Sequence, residues 1–93
     1  MDELSQARLL INEVDEQMAS LFVKRMQAAE KVVAYKMEHG LAIFDPQREK
    51  DVIAQNVTKV PKTYRRYYEE YLQMMMDISK KYQQAIMEET ENG

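Results

Sequence analysis

The fold is decided by residues 4–37, which read LSQARLLINEVDEQMASLFVKRMQAAEKVVAYKM. Within this stretch the apolar residues recur every three or four positions, the spacing that places side chains on one face of an α-helix. They are Leu4, Ala7, Ile11, Val14, Met18, Leu21, Phe22, Ala29, Val32 and Val33. No proline or glycine interrupts the stretch, and Gly40 follows it as a signal for the end of a helix. The pattern predicts one uninterrupted helix over about residues 4–38.

Two shorter helices are predicted after this one. Asp45 and Pro46 form a helix N-cap followed by a proline at the first helical position, so a second helix should cover about residues 46–58. Pro61 opens a third periodic stretch, predicted to be helical over about residues 62–87. The polar residues 88–93 are expected to be a frayed tail. With 93 residues and no linker, the chain is predicted to be a single all-α domain covering residues 1–93.

The length of the first helix predicts a second copy of the chain. A helix of about 34 residues would span roughly 50 Å, whereas a compact chain of this size has a radius of gyration of about 12 Å. Two shorter helices cannot cover an apolar stripe of that length. We therefore expect an intertwined two-fold homodimer of six helices, in which the long helices pack together.

Composition excludes several kinds of chemistry. The chain has no cysteine and a single histidine, His39, so a disulfide, a cysteine nucleophile, a catalytic triad and a conventional metal site are not expected. Its net charge of −3 argues against non-specific nucleic-acid binding and requires that any anionic ligand be held by a few local cations. The N-terminus lacks the features of a signal peptide and no apolar run approaches membrane-spanning length, so a cytoplasmic protein without membrane association is expected.

Polar residues interrupt the apolar rows at a few positions. Arg25 breaks a seven-residue row on the first helix, and Lys36 lies on nearly the same face eleven residues later. On the third helix Ser79 takes the place of an apolar residue, and Gln83 follows one turn beyond it. These residues either line a shared polar space, or Arg25 extends to solvent while the Ser–Gln pair satisfies buried backbone groups.

Arg8 lies 17 residues before Arg25 on the same predicted helix. That spacing corresponds to about 25 Å along the axis and roughly 100° around it, so one straight helix cannot bring both side chains to one small molecule. If the two cooperate, Arg8 must come from the other subunit of an antiparallel pair.

The start of the second helix carries Asp45, Arg48 and Glu49. Asp45 is a good N-cap, and the negative charge of Glu49 near the helix N-terminus interacts favourably with the helix dipole. Both residues therefore have an ordinary structural explanation. Arg48 opposes that electrostatic preference, which hints at another use.

Taken together, these residues resemble the all-helical (AroQ-type) chorismate mutases. The resemblance covers residues 3–87, and a short match such as Asp-Pro-x-Arg-Glu would mean little without the ordered set. The matching segments are residues 8–15, LFVKR at 21–25, VVAYK at 32–36, GLAIFDPQRE at 40–49 and SKKYQQ at 79–84.

The resemblance implies a cofactor-free Claisen rearrangement of chorismate to prephenate, on the route to phenylalanine and tyrosine. By likeness, Arg25 and Arg8 of the partner chain bind the two substrate carboxylates, and Ser79 assists at one of them. The resemblance also implies that Lys36 and Gln83 donate hydrogen bonds to the ether oxygen. Glu49 would accept from the ring hydroxyl, with help from the backbone near Asp45, and Arg48 would complete the cationic lining. A pericyclic step moves no proton, so a residue set without cysteine and with one histidine fits it.

The sequence departs from the family pattern at two places. Lys80 stands between Ser79 and Gln83 where the family commonly has an apolar residue, and the connection between the second and third helices is slightly short. Two alternatives also stay open. One is an isochorismate–pyruvate lyase, although such relatives generally lack the carboxylate at position 49 and the hydroxyl at position 79. The other is a non-catalytic regulatory helical dimer.

Overall fold

The computed structural model describes all 93 residues, and the chain is all-helical without strands. Helix α1 covers Glu3–Glu38, α2 covers Pro46–Val57 and α3 covers Arg65–Asn92. A short 3-10 turn at Lys62–Tyr64 precedes α3. The predicted all-helical architecture with one very long N-terminal helix is confirmed.

The ends of α1 and α2 are set by local capping. Asp2 accepts a hydrogen bond from the Ser5 backbone N–H at 2.7 Å, and Asp45 accepts one from the Arg48 backbone N–H at 3.1 Å. Each carboxylate therefore satisfies a donor that has no partner inside its helix. Gly40 has a φ of 65°, a left-handed conformation that glycine adopts without steric penalty, and it turns the chain away from α1.

The third helix differs from the prediction at both ends. The chain after Pro61 first makes the 3-10 turn, so regular α-helix starts at Arg65 rather than near residue 62. At the other end the helix continues to Asn92, five residues beyond the predicted end at residue 87, so most of the segment expected to fray is helical. Its polarity indicates exposure, but Glu88, Glu89 and their neighbours include no helix breaker before Gly93.

A small core holds the three helices together. Helix α3 packs against both α1 and α2. The buried hydrophobic residues are Ala29 and Val33 of α1 with Leu72 and Met76 of α3. All of residues 1–24 except Ser5 are exposed, so the N-terminal two-thirds of α1 has almost no cover from its own chain.

The outline of the chain is elongated. Its extents are 54 × 29 × 14 Å and its radius of gyration is 16.8 Å, against about 12 Å for a compact chain of this length. None of the helices combines the length and apolar composition needed to cross a bilayer. The long dimension is that of α1, which places its two ends in very different surroundings.

Candidate active site

A cavity of about 290 Å³ lies between the C-terminal half of α1, the start of α2 and the C-terminal half of α3. Its apolar wall includes Val32, Val52 and Met76. Seven of the eight predicted site residues line it: Arg25, Lys36, Asp45, Arg48, Glu49, Ser79 and Gln83. Residues that are distant in the sequence thus converge on one space, and Arg25 lines this space instead of extending away from it.

Arg8 is the predicted residue that does not line this cavity. It is exposed, and it lies on the same unbroken helix as Arg25. The helical rise separates the two positions by about 25 Å. Within one chain, Arg8 and the cavity are therefore far apart.

Lys36 is fixed at the end of α1 by the loop that follows. Its ammonium donates a hydrogen bond to the Ile43 backbone carbonyl at 2.7 Å, and the contact is partly buried. This bond uses one of the three N–H groups and holds the charge at the cavity wall, so two donors remain for other acceptors.

Ser79 and Gln83 form a buried polar pair on α3. They are 8% and 6% exposed, and the Gln83 amide Nε2 donates to the Ser79 hydroxyl at 3.0 Å. Gln83 Oε1 is buried without a hydrogen-bond partner. A half-turn of the amide exchanges its two ends: Ser79 then donates to Oε1, and Nε2 occupies the unpartnered position. An unsatisfied polar atom this deeply buried is unfavourable in the free protein, and a ligand with a complementary atom would relieve it.

Glu49 is held by two donors from α3. One carboxylate oxygen accepts from the Gln73 amide at 3.1 Å, and the other forms an ion pair with Lys80 at 2.8 Å. Asp77 contacts both donors, at 3.0 Å from Gln73 and 3.2 Å from Lys80. The hydrogen bond to Glu49 is the main cause that raises the pKa of Lys80, and hydrogen bonds from Gln73 and then Lys80 lower the pKa of Asp77.

The sequence reasoning missed Gln73 as a neighbour of the site. The signal that could have found it is its spacing from Lys80, because residues seven apart lie two turns from each other on one helix face. Lys80 itself stood out as a departure from the family pattern, but its partner did not.

The charges of the cavity contrast with those of the whole chain. Neither Arg25 nor Arg48 forms an ion pair within the chain, where the ion pairs are those of Lys80. Asp45 is occupied as the N-cap of α2. A chain with a net charge of −3 therefore has a local excess of cations here, carried by Arg25, Lys36, Arg48 and Lys80 against Asp45 and Glu49.

Comparison with known proteins identifies the family of this chain. The family model described as chorismate mutase type II matches residues 7–84, which is most of the chain and includes all eight predicted site residues. No curated protein and no solved structure matches the chain. The family resemblance predicted from the ordered motifs is confirmed, and the chain belongs to the chorismate mutase type II family.

Proposed function

We propose that this protein catalyses the Claisen rearrangement of chorismate to prephenate in the cavity lined by Arg25, Lys36 and Glu49. Its family supports chorismate mutase activity in general. The observation that carries the detailed proposal is the meeting of unpaired guanidinium groups, a fixed ammonium and a buried amide with one unpartnered atom in one small space.

The first task of such a site is to hold a flexible dianion in a compact, chair-like conformation. Arg25 and Arg48 have no competing carboxylate within the chain, so they are available to pair with substrate carboxylates. Arginine suits this role because its planar fork can bind a carboxylate through two hydrogen bonds. Fixing the reacting ends near each other removes much of the ordering that the uncatalysed reaction requires.

The second task is to stabilise charge on the breaking ether bond. Negative charge grows on the ether oxygen as the C–O bond breaks and the new C–C bond forms. Lys36 and Gln83 are the proposed donors. The Ile43 carbonyl holds the Lys36 ammonium at the cavity, and the half-turn of the Gln83 amide puts its Nε2 donor in the position where Oε1 has no partner. Donors that are already oriented stabilise the transition state more than the ground state.

The remaining polar residues orient the substrate. Glu49 is proposed to accept a hydrogen bond from the ring hydroxyl, close to the backbone at Asp45, and Ser79 is proposed to assist at a carboxylate. All bond changes take place within the substrate and no proton is transferred. The reaction as proposed therefore uses no cofactor, metal or nucleophile.

We further propose that the active form is an intertwined homodimer and that each site takes Arg8 from the partner subunit. The support is the exposure of large apolar residues along α1 in a single chain, together with the four-residue hydrophobic core. Those exposed residues include Leu4, Leu10, Ile11, Leu21 and Phe22. An antiparallel two-fold pair would cover this face and bring the N-terminal half of one α1 alongside the C-terminal half of the other. We place this dimer in the cytoplasm, with chorismate as its substrate and no nucleic-acid or membrane partner.

The test is an assay of the purified protein with chorismate, combined with a mass measurement in solution. We expect loss of chorismate absorbance with formation of prephenate, and a mass of about 22 kDa, twice that of the 11.0 kDa chain. Pyruvate release from isochorismate would assign the lyase reaction instead. No turnover of either compound would leave a non-catalytic helical module and refute the proposed reaction.

A further inference from the structure

We propose that Lys80 is a positioning residue that acts through Glu49: with Gln73 it fixes the Glu49 carboxylate at the edge of the cavity in the orientation that accepts the substrate hydroxyl. This inference rests on the proposed function of the cavity. It assigns a purpose to the lysine that departs from the family pattern.

The contacts of Glu49 carry the first step. Gln73 binds one carboxylate oxygen at 3.1 Å and Lys80 binds the other at 2.8 Å, so the carboxylate plane cannot rotate without losing a bond. Each oxygen keeps a second lone pair, so both bonds can persist while the carboxylate accepts from a ligand. Glu49 is therefore a fixed acceptor before any ligand arrives.

The surroundings of Lys80 carry the second step. Its ammonium contacts Glu49 at 2.8 Å and Asp77 at 3.2 Å, and it lies 4.6 Å from the centre of the Phe44 ring. Two of these neighbours are carboxylates that accept from the ammonium, and the third is an aromatic face that attracts a cation. Because the Lys80 ammonium is already paired with two carboxylates of the protein, it serves to hold Glu49 and is not a free cation for a substrate carboxylate.

The donors that hold Glu49 share one face of α3 with Asp77. Gln73, Asp77 and Lys80 are spaced four and three residues apart, so they lie along one helix face. Asp77 contacts both of the others and aligns them toward α2. We call Gln73, Asp77 and Lys80 the Glu49 clamp.

Burial decides whether the clamp has an effect. The Glu49 side chain is 15% exposed and the Lys80 side chain 28% exposed. The ion pair is therefore less screened than a pair on the open surface. Lys80 lines the cavity and its charged end pairs with Glu49. A lysine can cover apolar surface with its alkyl stem while its charge is paired, so it can occupy a position suited to an apolar residue.

The experiment compares chorismate turnover in the wild type with that of Lys80→Met, which keeps the length of the side chain and removes its charge. We expect kcat/KM to fall about tenfold, the size associated with loss of one charge-assisted hydrogen bond. Lys80→Arg should restore most of the loss. Lys81→Met is the matched control, because Lys81 is the exposed neighbour with no ion pair, and it should behave as the wild type.

A double-mutant cycle with Glu49→Gln then separates positioning from direct contact. If Lys80 acts through Glu49, adding Lys80→Met to Glu49→Gln changes kcat/KM less than about twofold. A further tenfold loss in that background would overturn the inference and assign Lys80 to the substrate itself. If the wild type converts chorismate and Lys80→Met has the same kcat/KM, the inference is also overturned.

Crystal structures of the wild type and of Lys80→Met give a second readout that does not require turnover. The Glu49 carboxylate should keep one conformation in the wild type and lose it in the variant. A Glu49 side chain in the same place in both structures would refute the clamp. A wild type that holds Glu49 in place but does not convert chorismate would refute only the proposed reaction.

Discussion

The proposed sharing of each site between two chains can be tested by mixing two variants that we expect to be inactive, Arg8→Ala and Arg25→Ala. In the proposed dimer, one site combines Arg8 of one subunit with Arg25 of the other. A mixed dimer then contains one site that lacks both arginines and one site that retains both. Activity should reappear on mixing although neither variant is active alone.

The geometry of α1 explains why an intact site needs both chains, and the proportion of mixed dimers sets the size of the expected recovery. The two arginines are 17 residues apart on one unbroken helix, and the rise places them about 25 Å from each other. One chain therefore cannot supply both to one substrate. Equal amounts of the two variants, exchanged to completion, give mixed dimers as about half of all dimers, and one of their two sites is intact. The expected activity is about a quarter of the wild-type value per site.

The assay measures kcat/KM for chorismate before and after the variants are unfolded together and refolded. Each variant alone should lose about 10²–10³ in rate, the range found when one oriented donor is removed from a catalytic site. Refolding each variant separately and then combining them without exchange is the control, and it should show no recovery. Absence of recovery in the co-refolded sample, with mixed dimers shown by mass, would refute the shared site.

Three further predictions concern single residues. Lys36→Ala should lower turnover by about 10²–10³, while the circular dichroism spectrum and the dimeric state in solution remain those of the wild type. Lys31→Ala, at an exposed position on the same helix, serves as the control, and an active Lys36 variant would contradict the proposed ether-oxygen donor. Val33→Ala should destabilise the fold by about 2 kcal/mol in urea unfolding, because the Val33 side chain is fully buried, and a loss near zero would show that the core lies elsewhere. Tyr82 donates a hydrogen bond to Glu30, which raises the pKa of Tyr82 above its ordinary 10.0; the associated stability is present below pH 10.0 and is lost as the pH rises through the pKa of the folded protein. The thermal midpoint of the wild type should therefore fall further between pH 9 and 11 (roughly one unit on either side of that value) than the midpoint of Tyr82→Phe, and equal falls would contradict this assignment.

The sequence was sufficient to predict the helical architecture and much of the cavity. Helical spacing and the absence of breakers defined α1, and the Asp45–Pro46 pair marked the start of α2. Both signals are local, since they depend on neighbouring residues along the chain. The end of α3 was predicted too early because polarity was taken as a sign of fraying, whereas residues such as Glu88 remain helical at the surface.

The contacts of Glu49 could not be predicted in this way. Whether Gln73 or Lys80 faces α2 depends on how far α3 is rotated about its axis and on the position of α2 along it. Both quantities follow from packing around Leu72 and Met76, which are buried beside these residues. A periodic pattern identifies a face of a helix, but it does not identify the partner of each residue on that face.

The unequal cover of α1 along its length explains why stability and catalysis would both depend on the proposed dimer. The C-terminal part of the helix contributes Ala29 and Val33 to the core and places Arg25 and Lys36 at the cavity. The N-terminal part has no comparable cover within the chain. In the proposed dimer this uncovered part has two consequences at once, because burying its apolar face against the partner is what brings Arg8 to the partner's cavity. In that dimer, a chain that buries so little by itself would gain folded stability from association, so the proposed active site should be completed in the step that completes the fold.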